Sequence, residues 1–230
     1  MASPDPNYCR PAAFHRFRQE LEEIESEGAL FRAAFAIALH DRPEADLAEA
    51  ETIVENLADA VSRRVRSRQP DAILAHLHDV LFDVFQLRGN TEDYYNPANS
   101  YLPDVLQTRQ GIPISLALVY CRVAEPLGLA VHGVNTPGHF LAEVELCGAS
   151  GSANSMYVDP FFGGSLLDVD EVRQRVEQTS GRRASAGVEN LVRATPQQWL
   201  YRMLNNLQAS FASSGRERDL YAMQELQTLL

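Results

Sequence analysis

The sequence predicts an α+β fold: a helical N-terminal half, a central buried helix packed on a small antiparallel sheet, and a C-terminal helix pair. Apolar residues recur at helical spacing through most of residues 12–88. The stretch from Pro113 to Leu127 is apolar on nearly every side, as in helices buried at the centre of a domain. Residues 130–135, 139–146 and 156–159 then change to the two-residue period of strands.

Helix signals mark the element boundaries. Gly28 separates two helices within residues 12–39, and Pro70 begins a helix that ends at Gly89. Residues 44–66 start with acids and end with arginines, which suits the helix dipole. Helices are also predicted over residues 102–110, 168–178, 196–211 and 217–229, and a hairpin loop over residues 148–153. The predicted organisation is a disordered tail (1–11), a helical region (12–88), a core (89–180), a linker (181–195) and a final helix pair (196–230).

Composition excludes several classes of protein. Hydrophobic residues make up 45% of the 230 residues, which suits a packed core and excludes a disordered chain. The net charge of −11 repels phosphate backbones, so we expect no nucleic-acid partner. All 20 basic residues are arginine, which excludes a Schiff-base lysine, a Ser–Lys dyad and a lysine-containing phosphate loop. No apolar run reaches the ~20 residues of a membrane span, so no membrane association is expected.

The cysteines and the metal-binding residue types indicate a chain without cofactor or metal. Cys9, Cys121 and Cys147 are odd in number and far apart, so they form neither a disulfide framework nor a zinc motif. His76 and His78 are two positions apart on a predicted helix and point to different sides. No glycine-rich nucleotide fingerprint is present. Since no signal peptide precedes residue 11 either, we expect a cytoplasmic protein.

One pair of residues in the predicted sheet could carry chemistry. If the hairpin turns near residues 149–150, residues whose numbers sum to about 298 face each other, and His139 lies opposite Asp159. Cross-strand neighbours have Cβ atoms about 5 Å apart, so the carboxylate could orient the imidazole. A nucleophile at the start of the buried helix would complete a papain-like arrangement.

An ordered series of short motifs extends between residues 89 and 164. It comprises Gly89-Asn90, Asp93-Tyr94-Tyr95-Asn96-Pro97, Asn99-Ser100-Tyr101-Leu102, Val105-Leu106, Arg109, Gly111-Ile112-Pro113-Ile114-Ser115-Leu116, Pro137-Gly138-His139-Phe140, Asp159-Pro160-Phe161 and Gly163-Gly164. Taken together, the motifs resemble the SirB-type transglutaminase-like family over about residues 30–207. The resemblance implies a papain/transglutaminase-like core, often followed by tetratricopeptide-like helices, of which the final helix pair would be a short version.

The chain departs from that family at the nucleophile. Transglutaminase-like enzymes place a cysteine two residues after the glycine at the helix start, and counting from Gly111 that position is Pro113. The nearest hydroxyl is Ser115, whose alternative role is to satisfy backbone groups of the first helical turn. His139 and Asp159 match the histidine and aspartate of the family. Their alternative roles are a buried bridging histidine and a carboxylate that caps the turn before Pro160.

Further residues of the motifs are candidates to line the same cleft: Tyr94, Tyr95, Asn99, Arg109, Pro113 and Gly138. For the loop residues, hydrogen bonds that pin the loop are the alternative to a direct role, and for the glycine it is backbone geometry.

Two functions follow from the missing cysteine. The first is a non-catalytic or regulatory protein that binds a protein or peptide through the cleft or through the terminal helices, which could also mediate homo-oligomer formation. The second is a hydrolase or acyl-transfer enzyme that acts on an amide bond. In it, Ser115 attacks, His139 is the general base and Asp159 orients it, while a backbone N–H at the helix start or the Asn99 side chain stabilises the oxyanion.

Overall fold

The computed structural model describes residues 5–147, 153–180 and 191–230 and confirms the α+β prediction. The α-helices are α1 (Pro11–Glu22), α2 (Ala29–Ala38), α3 (Leu47–Ser62), α4 (Pro70–His78), α5 (Leu102–Thr108), α6 (Pro113–Ala124), α7 (Val169–Ser180), α8 (Pro196–Ser213) and α9 (Glu217–Gln227). The strands are β1 (Arg88–Gly89), β2 (Gln110–Gly111), β3 (Val131–Thr136), β4 (His139–Cys147), β5 (Ala153–Asp159) and β6 (Ser165–Leu167).

Helix α6 is the centre of the molecule. Ten of its twelve residues are buried, as its apolar sequence predicts. It packs on the sheet through β3 and β4 and also contacts α3, α5 and α8. Pro113 occupies the first helical position, where the missing N–H leaves no hydrogen bond unmade. A helix surrounded on every side holds the helical region, the sheet and the terminal helices in one core.

The main sheet is antiparallel in the order β3-β4-β5-β6. In the β4–β5 ladder Ala142 pairs with Val158, so the numbers of opposed residues sum to 300 rather than the expected 298. The predicted register is therefore wrong by two residues, and the predicted hairpin loop falls largely outside the described residues. The parallel pair β1–β2 and the short strand β6 were not predicted, because two or three residues are too few to show a period.

Two segments expected to lie outside the packed domain are attached to it. The backbone N–H groups of Asn7, Tyr8 and Cys9 donate to the Glu225 carboxylate of α9, so residues 5–10 are held rather than disordered. Local composition cannot indicate this attachment, because the carboxylate lies 216 positions away from Cys9 in the sequence. In the expected linker, Arg193 forms a β-bridge with Val134, while residues 181–190 lie outside the described residues.

The helix that begins at Pro70 changes its winding before it ends. Residues Asp79–Val84 form a π-helical turn directly after α4. Such turns are uncommon and carry no simple sequence period, so the prediction of one continuous helix misses it. Within the described part of the chain, no helix has both the length and the apolar character needed to cross a membrane.

His78 of α4 makes stability depend on pH. Its Nε2 lies 3.0 Å from the Tyr120 hydroxyl of α6, and burial lowers the pKa of His78 from 6.5 to about 4. Below pH 6.5 His78 becomes protonated in the unfolded chain, whereas in the folded chain it stays neutral until about pH 4. We therefore expect the free energy of unfolding to fall across this window, with His78 contributing about 3 kcal/mol. Urea unfolding at several pH values should show that the unfolding free energy of His78→Phe depends less on pH than that of the wild type. Tyr120→Phe keeps His78 buried and should retain the wild-type pH dependence. An unchanged pH dependence in His78→Phe would contradict this origin.

Gly133 of β3 is required by the close approach of α8. A Cβ atom at this position would lie 2.1 Å from Cζ3 of Trp199, a buried ring that also packs on Phe140. We expect Gly133→Ala to lower the free energy of unfolding by about 1–3 kcal/mol through overpacking. Trp199→Leu in the same chain should recover part of that loss, which a double-mutant cycle in urea measures. Additive effects of the two substitutions would show that the two residues do not clash.

Candidate functional site: a buried histidine–aspartate pair beside the central helix

His139 and Asp159 are in direct contact. His139 Nε2 lies 2.9 Å from Asp159 Oδ2, and the two side chains are 2% and 0% exposed. His139 begins β4 directly after the Pro137-Gly138 turn, where Gly138 has a φ of +70° that favours glycine. The two residues meet although the ladder is offset, because both stand beyond its last pair, Ala142–Val158. Gly138 thus serves the turn that aims the imidazole.

The Asp159 carboxylate also has partners outside the strand pair. Arg175 of α7 donates to the same oxygen, Oδ2, at 2.7 Å. The other oxygen, Oδ1, accepts the backbone N–H groups of Phe161 and Phe162 and so caps the turn after β5. The carboxylate therefore has the turn-capping role considered for it as well as the contact with His139.

Arg175 was missed in the sequence. Its signal was its position three residues after Val172, which packs with Val176 of α7 against the sheet. Residues three positions apart lie on the same face of a helix, whereas Arg173, directly after Val172, is exposed and pairs with Asp170. Its guanidinium also lies 4.2 Å from the centre of the Phe162 ring, so it covers one side of the pair.

Two chains of contacts place the pair beside the start of α6. The Phe161 ring contacts His139, with ring centres 6.2 Å apart, and lies against Gly89, where a Cβ would come within 2.5 Å. Gly89 in turn pairs with Gly111, two residues before the helix. On the opposite side, the Phe140 ring packs on Trp199, whose Nε1 donates to the Ile114 carbonyl at 3.3 Å.

Ser115, the candidate nucleophile, is turned toward the backbone. Its hydroxyl donates to the Asn99 carbonyl at 2.6 Å and has the Ile112 carbonyl at 3.0 Å. The hydroxyl also accepts the Ile112 N–H at 3.2 Å, and the residue is 0% exposed. No hydrogen bond joins Ser115 to His139, and within the described residues none reaches His139 Nδ1. The helix start is sealed, since Ile112, Pro113 and Ile114 are buried as well.

The described thiols do not replace the missing cysteine. Burial raises the pKa of Cys121, which lies two turns into α6, to about 12. Burial likewise raises the pKa of Cys9 to about 12, with the Glu225 carboxylate adding to the effect. Both thiols are protonated at neutral pH and therefore poor nucleophiles. Among the described residues, no group of three or more potential ligands is arranged to hold a metal ion.

The loop from Asn90 to Tyr101 is pinned by its own side chains. Asn99 donates to the carbonyls of Asp93 and Tyr94 and accepts from the Asn90 amide. Its amide is thus occupied, and its carbonyl receives the Ser115 hydroxyl. Asn99 therefore stabilises the loop and links it to the start of α6, which is the loop-pinning role considered for it.

The loop also presents aromatic rings around the pair. Tyr94 contacts Phe161 with ring centres 5.9 Å apart, and Tyr95, which is 75% exposed, packs on Tyr94 at 5.4 Å. Phe161 then contacts Phe162, which is largely exposed. We call the series Tyr95, Tyr94, Phe161 and Phe162 the aromatic row. Arg109 does not belong to this group, because its guanidinium lies over Phe85.

Asp159 carries several roles at once, so its loss should be severe. Asp159→Ala leaves His139 and Arg175 without their carboxylate and removes the cap of the following turn. We expect the free energy of unfolding to fall by about 3 kcal/mol or more, as measured by urea unfolding. Asp170→Ala is the matched control, because it removes an exposed carboxylate that pairs with Arg173 and should change stability by less than about 1 kcal/mol. Similar effects of the two substitutions would contradict the assigned role.

Comparisons with known proteins identify the family. The family model described as the transglutaminase-like superfamily matches residues 48–205. A UPF0162 protein of Xylella fastidiosa is 31% identical over 191 residues, covering 81% of this chain and 66% of its own length. The UPF0162 protein of Pseudomonas aeruginosa is 30% identical, covering 88% of this chain and 71% of its own.

A eukaryotic protein is similar to the same extent. Human F-box only protein 21 is 32% identical over 217 residues, covering 83% of this chain but 33% of its own length. The chain thus spans about two thirds of the Xylella relative and one third of the human one. No solved structure matches the chain significantly. The extent of the family match, together with the His139–Asp159 pair beside the buried helix, shows that this chain belongs to the transglutaminase-like superfamily.

Proposed function

We propose that this chain is a non-catalytic, SirB-type member of the transglutaminase-like superfamily that binds a protein or peptide partner. The observation that carries the proposal is the sealed start of α6. The position of the family's cysteine holds Pro113, and the Ser115 hydroxyl is fully buried and engaged with backbone groups. A serine needs a base to take its proton, and here that proton is directed to a carbonyl.

The aromatic row supports binding as the retained function. Exposed aromatic side chains are enriched in interfaces, where they contribute much of the binding energy. Tyr95, Tyr94 and Phe162 are exposed on a loop and a turn that are both rigidly fastened, the first by Asn99 and the second by Asp159. A fixed surface loses little entropy when a partner binds. We assign the partner-binding surface to this row, and we regard α8–α9 as a short tetratricopeptide-like pair.

The alternative function is an amide hydrolase or acyltransferase that uses Ser115, His139 and Asp159. The hydrogen bond between His139 and Asp159 favours it, since the family's enzymes use such a pair. It requires the Ser115 hydroxyl to leave the Asn99 carbonyl and turn to His139 Nδ1. It also requires the helix start to open to a substrate. A relative named an F-box only protein adds no evidence for chemistry.

A serine-directed fluorophosphonate probe separates the two functions. We expect no labelling of the wild-type chain and no difference between it and Ser115→Ala or His139→Ala, because the hydroxyl is buried and has no base. Intact-mass spectrometry after prolonged incubation measures the adduct, with a serine hydrolase as a positive control. Labelling that disappears in both variants would establish the enzyme instead.

A cysteine at the family's position tests the sealing directly. In a Cys147→Ser background, Pro113→Cys should react with iodoacetamide no faster than the buried Cys9, since it lies beneath the covered helix start. Ser214→Cys, placed at an exposed turn, is the matched control and should react at least about tenfold faster. Rapid alkylation at position 113 that falls when His139 is replaced by Ala would reveal an open, activated site and contradict the proposal.

A further inference from the structure

Arg202 of α8 differs from most of the partly buried arginines among the described residues. Arg32, Arg42 and Arg216 each pair with carboxylates of the chain. The Arg202 guanidinium instead donates to the Thr136 carbonyl at 2.8 Å and to the Asn135 side chain, and it packs over the Phe140 ring. Among the described residues, no carboxylate lies within 4 Å of it. Acids outnumber basic residues by 31 to 20 in this chain, so an uncompensated cation requires an explanation.

The electrostatic environment agrees with this geometry. Burial lowers the pKa of the Arg202 guanidinium, whereas neighbouring carboxylates raise the pKa values of Arg42, Arg193 and Arg216. The folded chain thus bears the cost of removing a charge from water without the attraction that normally offsets it. A ligand that supplies a negative charge at this place would restore the balance.

Arg202 lines a hollow of about 700 Å³ along α8. Most of the other lining groups are side-chain amides; several already bond within the chain, and their remaining donors and acceptors can pair with a peptide backbone. The lining residues that carry them are Asn135, Gln197, Gln198, Asn205 and Gln227. The exposed Tyr201 forms part of the rim. Tyr94 and Tyr95 of the aromatic row line a smaller hollow together with Asn206, which lies one helical turn after Arg202 on α8, so the row and the larger hollow are neighbours along this helix.

We infer that this hollow binds a carboxylate of a peptide segment, with Arg202 as the cation that receives it. The inference rests on the proposed function, because it names the chemistry of the partner that the aromatic row would bind. Guanidinium and carboxylate match in shape and form strong charge-assisted hydrogen bonds. A single arginine suits a carboxylate rather than a phosphate, which proteins usually bind with arginine clusters. Arg193, the nearest arginine in the sequence, is already paired with Glu143 and Glu145.

The arginine is held in position before any ligand arrives. One nitrogen is fixed by Thr136 and Asn135, and the plane of the guanidinium is supported by Phe140. The Thr136 hydroxyl in turn donates to the His139 carbonyl at 2.9 Å. The same turn therefore positions both His139 and the anion-binding guanidinium. Such preorganisation lowers the entropy lost on binding.

Selection from a random peptide library displayed on phage tests this inference. The wild-type chain should enrich peptides that carry Asp or Glu at a fixed distance from an apolar residue. Fluorescence polarisation with the selected peptides should show that Arg202→Gln weakens binding about tenfold or more. The affinity of Arg202→Lys should lie between those of the wild type and Arg202→Gln. Replacing the peptide's acid by its amide should have the same effect as Arg202→Gln. Peptides with free and amidated C-termini distinguish a terminal carboxylate from a side-chain carboxylate.

Two controls keep the test sharp. Arg218→Gln makes the same charge change at an exposed position of α9 and should leave affinity within about twofold. Tyr201→Ala alters the rim of the hollow at an exposed site, so it should fold normally and still weaken binding. Thermal unfolding checks that Arg218→Gln, Tyr201→Ala and Arg202→Gln are all folded. Should Arg202→Gln fail to fold, the Tyr201→Ala and amidated-peptide measurements decide.

The outcomes separate this inference from the proposed function. Enriched peptides that lose affinity in Tyr95→Ala but are insensitive to Arg202, to Tyr201 and to their own acids would overturn the anion site and leave peptide binding intact. Failure to enrich any peptide above the background of an empty display would overturn both. Equal losses in Arg202→Gln and Arg218→Gln would show that overall charge, rather than this site, governs binding.

Discussion

The buried carboxylate of Asp159 is the constraint around which this half of the molecule is arranged. An ionised carboxylate without access to water has to be matched by donors on every side, or it destabilises the fold. Here the donors come from three elements: His139 of β4, Arg175 of α7 and the backbone of the turn after β5. Satisfying one group thus fixes the end of the sheet, the position of α7 and the turn that carries Phe161 and Phe162.

The start of α6 solves a similar problem with a neutral group. A buried helix start leaves backbone groups that need partners, and the Ser115 hydroxyl serves both the Ile112 N–H and the Asn99 carbonyl. Asn99 then fastens the loop that presents Tyr94. The Ser115 hydroxyl cannot hold this loop through its hydrogen bond to Asn99 and at the same time be a free nucleophile. The His139–Asp159 pair has a structural use without a nucleophile, since Asp159 also binds Arg175 and caps the turn after β5.

Local pattern was enough to predict most of the fold and part of the site. The apolar circumference of residues 113–124 predicted the central helix, and the alternation after Gly128 predicted three of the four strands of the main sheet. The His139–Asp159 contact could be anticipated because both residues stand at the open end of one hairpin, where an error of two in register still leaves them adjacent. Long-range partners could not be predicted: nothing near Glu225 indicates that it holds residues 7–9, and nothing near Trp199 indicates the Ile114 carbonyl.

The arginines show where structure adds most to the sequence. From composition alone, twenty arginines and thirty-one acidic residues indicate only a surface with many ion pairs, none of which stands out. The fold separates them by what they contact. Arg175 is committed to Asp159, and Arg193 is committed to Glu143 and Glu145. Arg202 is held equally firmly, but by a carbonyl, an amide and a ring, none of which carries a charge. Rigid positioning without neutralisation is costly for the folded chain alone, and it becomes favourable when the missing charge belongs to something the chain binds.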